Sequence, residues 1–141
     1  MAAAVALCAC GCSSFNHEWQ AAGKMPASTS GDISGRWEGT WKSEVNGHNG
    51  KLRCLIKPGE RANHYDAWFH ANYFKILSFS YTVDLETKRQ GDVFQFTGSA
   101  DLGGSQGVYN YDGHADRSRF LSTYASKSDH GTFEMLKVTA P

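Results

Sequence analysis

The feature that most constrains the fold is a strict alternation of apolar and polar side chains in residues 77–85. From Leu77 to Leu85 every odd position is apolar or aromatic, and every even position is Ser, Thr or Asp. Successive side chains of a strand point to opposite faces, whereas a helix repeats every 3.6 residues. The segment is therefore predicted to be a strand with one buried face, and residues 93–102 repeat the pattern.

The same alternation, with more interruptions, marks six further segments between residues 35 and 138. The predicted inward residues of these segments are Trp37, Gly39 and Trp41; Leu52, Cys54 and Ile56; Tyr65, Ala67, Phe69 and Ala71; Tyr109, Tyr111 and Ala115; Phe120, Ser122 and Tyr124; and Phe133 and Met135. Turn pairs such as Asn46-Gly47, Pro58-Gly59 and Gln90-Gly91 separate the segments. Links this short join antiparallel neighbours, because a parallel crossover needs a dozen or more residues.

The expected fold class is all-β. A meander of about eight strands with one apolar face buries that face and loses its edges when it curls into a closed antiparallel up-and-down barrel. A two-sheet β-sandwich with the same inward residues is the alternative.

The N-terminal residues 1–12 are small, apolar and rich in cysteine, and they are fewer than the about 20 residues that cross a bilayer as a helix. They predict a signal segment with a lipoprotein-type cleavage site, with lipid attached at Cys10 or Cys12. The expected location is the cell envelope, with the chain anchored to a membrane by lipid and facing the periplasm or exterior. Residues 13–34 are predicted to be a flexible tether and residues 35–138 the barrel domain.

The balanced charge argues against nucleic-acid binding, and the position of Cys54 argues against a reactive thiol. Lys plus Arg equals Asp plus Glu at 14 each, so no long-range field favours nucleic acid. Cys54 stands apart from the N-terminal cysteines and is predicted to be a buried, inert side chain.

No convergent set of acid, base and nucleophile is recognised, so no enzymatic activity and no cofactor are predicted. Residues 126–131 contain Ser, Asp and His but are interpreted as a hairpin turn, in which Asp129 bonds its own backbone and Gly131 supplies a positive φ. His64, Asp66, Trp68 and His70 share one face of the third strand. That face is interpreted as solvated, with no metal site.

The inward residues mix large rings with Gly and Ala, which predicts either a filled core or a pocket for a small hydrophobic ligand. The candidate ligand-binding residues are Trp37, Trp41, Phe69, Tyr81, Phe96, Tyr109 and Tyr124. The leading hypothesis is a membrane-tethered barrel that binds a small apolar or amphipathic molecule. The alternative is an envelope module with a filled core that binds a protein partner through its outer face, including an exposed Trp68.

The first strand opens with Gly35-Arg36-Trp37-Glu38-Gly39-Thr40-Trp41. This segment resembles the G-x-W signature of lipocalins and related calycin barrels, a resemblance that implies an eight-stranded barrel with Trp37 plugging one end. With the Ser-Asp-His-Gly turn at residues 128–131, the chain also resembles small bacterial lipoproteins of unknown activity. That second resemblance implies no particular reaction or ligand.

Overall fold

The computed structural model describes residues 6–24, 31–73, 77–104 and 106–139 of the chain. A helix, α1 (Ala6–Gly23), precedes eight strands. These are β1 (Gly35–Ser43), β2 (Asn49–Pro58), β3 (His64–Tyr73), β4 (Leu77–Gln90), β5 (Val93–Asp101), β6 (Val108–Ala115), β7 (Arg119–Ala125) and β8 (His130–Lys137). The strands pair antiparallel in chain order, and β8 pairs back to β1 to close the barrel. The predicted eight-stranded antiparallel barrel is confirmed, and the two-sheet sandwich does not form.

The register places the predicted inward residues of neighbouring strands opposite one another. Phe69 on β3 lies between Cys54 on β2 and Tyr81 on β4, and Cys54 in turn lies opposite Trp37 on β1. Cys54 is fully buried, as predicted, and burial raises the pKa of its thiol well above the usual range. A thiol held in the protonated form in this way is a poor nucleophile.

The two ends of the barrel differ. At the end that we call the closed end, where β1 begins and β8 ends, residues 31–34 supply the buried Ile33. Trp37 donates a hydrogen bond from Nε1 to the Ile33 carbonyl at 2.9 Å, and the Lys137 ammonium lies 4.9 Å from the centre of the Trp37 ring. At the opposite end, called the open end, the β1–β2, β3–β4, β5–β6 and β7–β8 connections surround an opening.

The interior next to the closed end is filled by aromatic and branched side chains, and we call it the packed half. Phe120 stacks on Phe96 at 4.8 Å and contacts Trp37 at 5.9 Å and Phe69 at 6.3 Å. The other buried side chains of this half include Ile56, Ala67, Val83, Leu85, Phe94 and Ala115. Rings packed at these separations leave the interior near the closed end solid.

Two inward glycines mark the seam at which β1 meets β8. A Cβ on Gly39 would lie 1.9 Å from the Glu134 carbonyl oxygen, and one on Gly131 would lie 1.9 Å from that of Lys42. Both positions therefore require glycine because a neighbouring backbone passes too close for any side chain. Gly131 does not have the positive φ expected from the hairpin interpretation.

Part of the segment predicted to be a flexible tether is helical and packed on the barrel. Phe15 and Trp19 on α1 are buried against Leu55 and Trp68 on the outer wall, and Ala22 packs beside them. These three helix residues follow the i, i+4, i+7 spacing of one helical face, which supplies the docking stripe. Residues 25–30 of the predicted tether lie outside the described part of the chain.

The arginine Arg53 on β2 fastens α1 to the wall. Its guanidinium lies 5.0 Å from the Phe15 ring and 5.3 Å from the Trp19 ring, and it donates a hydrogen bond to the Asn16 side chain at 2.9 Å. Lys57 and Glu18 add an exposed ion pair at 3.3 Å. A cation over an aromatic ring strengthens the packing of that ring. The helix α1 is therefore an integral part of the outer wall.

Candidate functional site

The barrel is hollow next to its open end, where a cavity of about 260 Å³ lies among the upper parts of the strands and their connections. We call this the hollow half. The described residues that line it are Trp41, Asn46, His48, Ala71, Tyr73, Phe79, Tyr81, Leu102, Gln106, Tyr109, Tyr111, Tyr124, Asp129 and Phe133. The lining is predominantly aromatic, and its polar groups are hydroxyls, amides, one imidazole and one carboxylate.

Six rings of the lining form one continuous chain of contacts. Phe79 stacks on Tyr81 at 5.8 Å, Tyr81 on Tyr111 at 6.3 Å, and Tyr111 lies 5.8 Å from Phe133. Tyr124 then contacts Phe133 at 5.1 Å, and on its other side Tyr109 at 6.0 Å. Side chains that hold one another at these distances form a preorganised wall, and π faces line the space they enclose.

Burial holds the hydroxyls of Tyr81 and Tyr111 in this wall in their neutral form. Burial raises the pKa of Tyr111 to about 12, although a hydrogen bond from Tyr81 works in the opposite direction. Burial is also the main reason that the pKa of Tyr81 is raised well above its usual range. Around neutral pH these groups are therefore hydrogen-bond donors and acceptors without charge.

Asp129, in the β7–β8 connection, is the single acidic side chain among the described lining residues. Its Oδ1 accepts a hydrogen bond from the Ser43 hydroxyl at 2.6 Å, and its Oδ2 accepts one from the Tyr124 hydroxyl at 3.2 Å. Burial and the negative charge of Asp129 together raise the pKa of Tyr124. Both partners are neutral, and no ion pair to Asp129 is found in the described part of the chain.

Two further hydrogen bonds position rings near the opening. The Trp41 indole donates from Nε1 to the Asn72 carbonyl at 2.9 Å and stacks on Tyr73 at 5.8 Å. The Tyr73 hydroxyl lies 2.7 Å from Nδ1 of His48. These bonds fix the rings at the entrance in one orientation.

Exposed apolar side chains surround the opening. Val45, Phe79 and Val108 are 55%, 40% and 52% exposed, and all three lie at the open end of the barrel. Leu102 adds a half-buried apolar side chain to the same rim. Exposed apolar residues that have no function are usually scattered singly over a protein surface. A cluster of them around an apolar cavity is typical of a binding site.

The structure divides the seven sequence-predicted ligand residues between the two halves. Trp41, Tyr81, Tyr109 and Tyr124 line the cavity. Trp37, Phe69 and Phe96 lie in the core, where none of them lines the cavity. The alternation fixes which face a side chain occupies but not its height along the barrel.

Sequence reasoning missed the role of Asp129, which it assigned to the backbone of its own turn. The hydroxyl of Ser126 occupies that position instead, accepting hydrogen bonds from the backbone amides of Ser128 and Asp129 at 3.2 and 3.1 Å. The Asp129 carboxylate is thereby left to face Ser43, which is 86 positions away in the chain. No local pattern signals a contact over that separation.

The polar face of β3 is only partly the solvated surface that the sequence predicts. His64 pairs with Asp84 at 2.9 Å, but His70 is buried beneath Phe15, whose ring lies 5.0 Å away, and contacts the Ser80 hydroxyl at 2.7 Å. Within the described residues no group of three or more His, Cys, Asp or Glu side chains is placed to hold a metal ion.

Trp68, predicted to be exposed as part of a surface for a protein partner, packs edge-on against Phe15 at 5.2 Å. The helix α1 therefore covers Trp68, which is one part of the outer face that this alternative would use.

The cysteines predicted to carry lipid, Cys10 and Cys12, lie in the first part of α1, where only the backbone is described. No helix in the described part of the chain is long and apolar enough to cross a bilayer.

The fold and the site together define, in the described part of the chain, a closed eight-stranded up-and-down barrel with a packed half and a cavity open to the outside. Comparison of the chain with protein-family models, with curated proteins and with solved structures finds no match.

Proposed function

We propose that the barrel binds a small amphipathic molecule in the cavity of the hollow half, and that lipid at Cys10 or Cys12 holds it on a membrane of the cell envelope. The single observation that carries the binding proposal is the cavity of about 260 Å³, enclosed by rings that already hold one another in place.

The size and chemistry of the cavity support this class of ligand. An apolar cavity of about 150 Å³ is enough to hold benzene. The larger cavity here suits a one- or two-ring molecule or a short aliphatic chain. Its rings supply apolar contact, while the hydroxyls of Tyr109, Tyr111 and Tyr124 and the Asp129 carboxylate offer hydrogen-bonding groups near the opening. A lining that is mostly apolar with a few placed polar groups is typical of small-molecule sites.

The apolar rim supports entry through the open end. A ligand that leaves a membrane or another apolar surface would meet Val45, Phe79 and Val108 before it reaches the cavity. The opposite end is blocked by Ile33 and Trp37. One route in and out follows from this arrangement.

The helix α1 is compatible with an attached lipid. Cleavage before Cys10 or Cys12 leaves the part of α1 that carries Phe15 and Trp19, so the docking contacts would survive processing. Only two residues, Ser13 and Ser14, would separate Cys12 from the docked Phe15. The barrel would then be held close to the membrane surface.

Nuclear magnetic resonance titration with a neutral two-ring probe, 1-naphthylmethanol, tests the binding proposal. Each tryptophan contributes one indole N–H signal, which Trp→Phe variants assign. Saturable movement of the Trp41 signal, with the Trp37 signal unchanged, is the expected result, because only Trp41 of the two lines the cavity. No saturable movement at millimolar probe would contradict the proposal.

A filling variant makes the test specific for the cavity. Ala71→Leu adds three carbon atoms to the lining and is expected to weaken probe binding by about tenfold, on the scale of a few lost apolar contacts. Ala125→Leu, the same substitution at an exposed position of β7, is the matched control and should leave binding unchanged. Equal binding by all three proteins would place the probe elsewhere.

Mass spectrometry of the protein from membrane fractions tests the anchor. A diacylglycerol thioether on the N-terminal peptide, moved or lost in Cys10→Ser and Cys12→Ser variants, is expected. An unmodified N-terminal Met1 would contradict the lipid proposal without affecting the binding proposal.

A further inference from the structure

We propose that the occupant of the cavity is an organic cation, a protonated amine carried on an aromatic or short aliphatic body, with its ammonium group bound by Asp129. This inference rests on the proposed function and names the chemical class of the ligand. It is drawn from the charge distribution of the cavity and from the faces of its rings.

The described lining residues carry a negative charge with no basic residue of Lys or Arg type to balance it. Asp129 is the acidic group of this lining. The remaining titratable lining groups are five tyrosines and His48, whose Nδ1 lies 2.7 Å from the Tyr73 hydroxyl. A ligand with a positive charge would balance the carboxylate, whereas an anionic ligand would meet a like charge in a partly dehydrated space.

Asp129 retains capacity to bind a ligand. A carboxylate offers about four lone-pair positions on its two oxygens, and the Ser43 and Tyr124 hydroxyls use one on each. The turn that carries Asp129 is stabilised by the Ser126 hydroxyl, so the carboxylate is not needed to satisfy its own backbone. Its unused positions are available to an N–H donor that enters from the open end.

The aromatic wall favours a cation for a second, independent reason. The face of an aromatic ring carries partial negative charge and attracts ammonium groups within about 6 Å of its centre, most strongly where water is excluded. Tyr124, which donates a hydrogen bond to Asp129, contacts the Phe133 ring at 5.1 Å and the Tyr109 ring at 6.0 Å. A carboxylate joined in this way to a cluster of aromatic rings suits the recognition of an ammonium group.

The test compares three probes that share one naphthalene body and differ in charge. These are 1-naphthylmethylamine, which is cationic at pH 7, the neutral 1-naphthylmethanol, and the anionic 1-naphthoate. Calorimetric or nuclear magnetic resonance titration of the whole chain should give the tightest binding for the amine, about tenfold to a hundredfold tighter than the alcohol. The carboxylate probe should bind weakest.

Two matched variants locate the origin of the preference. Asp129→Asn removes the charge in the cavity with little change of shape and should make the amine and the alcohol bind equally. Glu44→Gln removes a charge from the same end of the barrel, where Glu44 lies 3.6 Å from His130 and does not line the cavity. This variant should keep the preference for the amine.

Each outcome separates this inference from the proposed function. Equal binding of amine and alcohol by the unmodified protein, or tighter binding of naphthoate, would overturn the cation inference and leave a small-molecule site in place. A preference that persists in Asp129→Asn would overturn the assignment to Asp129. Binding of none of the three probes would overturn the proposed function itself. If Asp129→Asn fails to fold, the three-probe comparison on the unmodified protein decides.

Discussion

The packed half and the hollow half are built by the same eight strands, yet one is solid and the other encloses about 260 Å³. Their aromatic residues differ mainly in the tyrosine hydroxyl, which is concentrated in the hollow half. The rings that meet in the packed half are those of Trp37, Phe69, Phe96 and Phe120. Of the six tyrosines in the chain, five line the cavity.

That oxygen explains why the hollow half does not collapse. A phenylalanine ring can be surrounded by carbon on every side, whereas a tyrosine hydroxyl needs a partner when it is removed from water. The hydroxyl of Tyr124 is hydrogen-bonded to Asp129, that of Tyr73 to His48, and that of Tyr81 to Tyr111. These partners hold the rings against the wall or the rim, so the rings enclose a space that they do not fill.

The comparison predicts a large difference between equivalent truncations in the two halves. Phe120→Ala removes a fully buried ring and should lower the free energy of unfolding by about 3–5 kcal/mol. Phe79→Ala removes a ring that is 40% exposed in the hollow half and should cost about 1 kcal/mol or less. Urea denaturation followed by circular dichroism measures both. A cost for Phe79→Ala equal to that for Phe120→Ala would mean that the halves are not energetically distinct.

Alkaline pH should destabilise the barrel through the hollow half. The folded-state pKa of Tyr111, raised from 10.0 to about 12 by burial, lies above its unfolded value. The corresponding stability is complete below pH 10 and is lost as pH rises from 10 to 12. Because one pKa unit corresponds to 1.36 kcal/mol, the loss from Tyr111 is about 2–3 kcal/mol.

Denaturation at a series of pH values, with the ultraviolet absorbance of tyrosinate as a second probe, checks the alkaline prediction. Tyr111→Phe should be slightly less stable at neutral pH, because Tyr81 loses its acceptor, but should lose less stability between pH 10 and 12. An equally steep loss in this variant would assign the alkaline sensitivity to other groups.

The sequence predicts the strands well because the alternation of side chains is a local property. Trp37, Cys54 and Phe69 face the interior, as their positions in the alternation require. The division into halves could not be predicted in the same way. It depends on which residues from different strands share a level, and the Ser43–Asp129 contact joins positions 86 apart.

The docking of α1 has a visible but weak signal in the sequence. Phe15, Trp19 and Ala22 have the spacing of a helical face, yet three residues among polar neighbours also fit an irregular segment. What selects the helix is the surface that receives it, formed by Arg53, Leu55 and Trp68 far along the chain. Tertiary contacts of this kind cannot be deduced from a local pattern.

Two alanines on the same face of β3 predict a smaller difference in stability between the two halves. Ala67 lies in the packed half opposite Ile56 and Val83, and Ala71 borders the cavity opposite Phe79. Ala67→Leu should lower the free energy of unfolding by about 1–3 kcal/mol because no space exists for the added carbons. Ala71→Leu should leave stability nearly unchanged. Thermal and urea denaturation of both variants checks this, and equal costs would indicate that the cavity wall cannot accommodate the larger side chain.

The weakest pH dependence is predicted for the outer wall, where α1 covers His70. Burial, followed by the charge of Arg53, lowers the pKa of His70 beneath Phe15. The neutral imidazole therefore contributes stability that is complete above pH 6.5 and is lost as pH falls through the lower folded-state value. Phe15→Ala should move the pKa of His70 back toward 6.5 and reduce this loss, whereas Phe15→Leu should keep most of the shift.

Nuclear magnetic resonance titration of the His70 ring signals measures that change, and the Trp41 indole signal reports on the cavity in the same spectra. If α1 is only an outer covering, Phe15→Ala changes the His70 titration while probe binding at Trp41 stays the same. A simultaneous loss of probe binding would show that the hollow half depends on the helix for its shape. The boundary between the two halves would then be set by the outer wall as well as by the tyrosine hydroxyls.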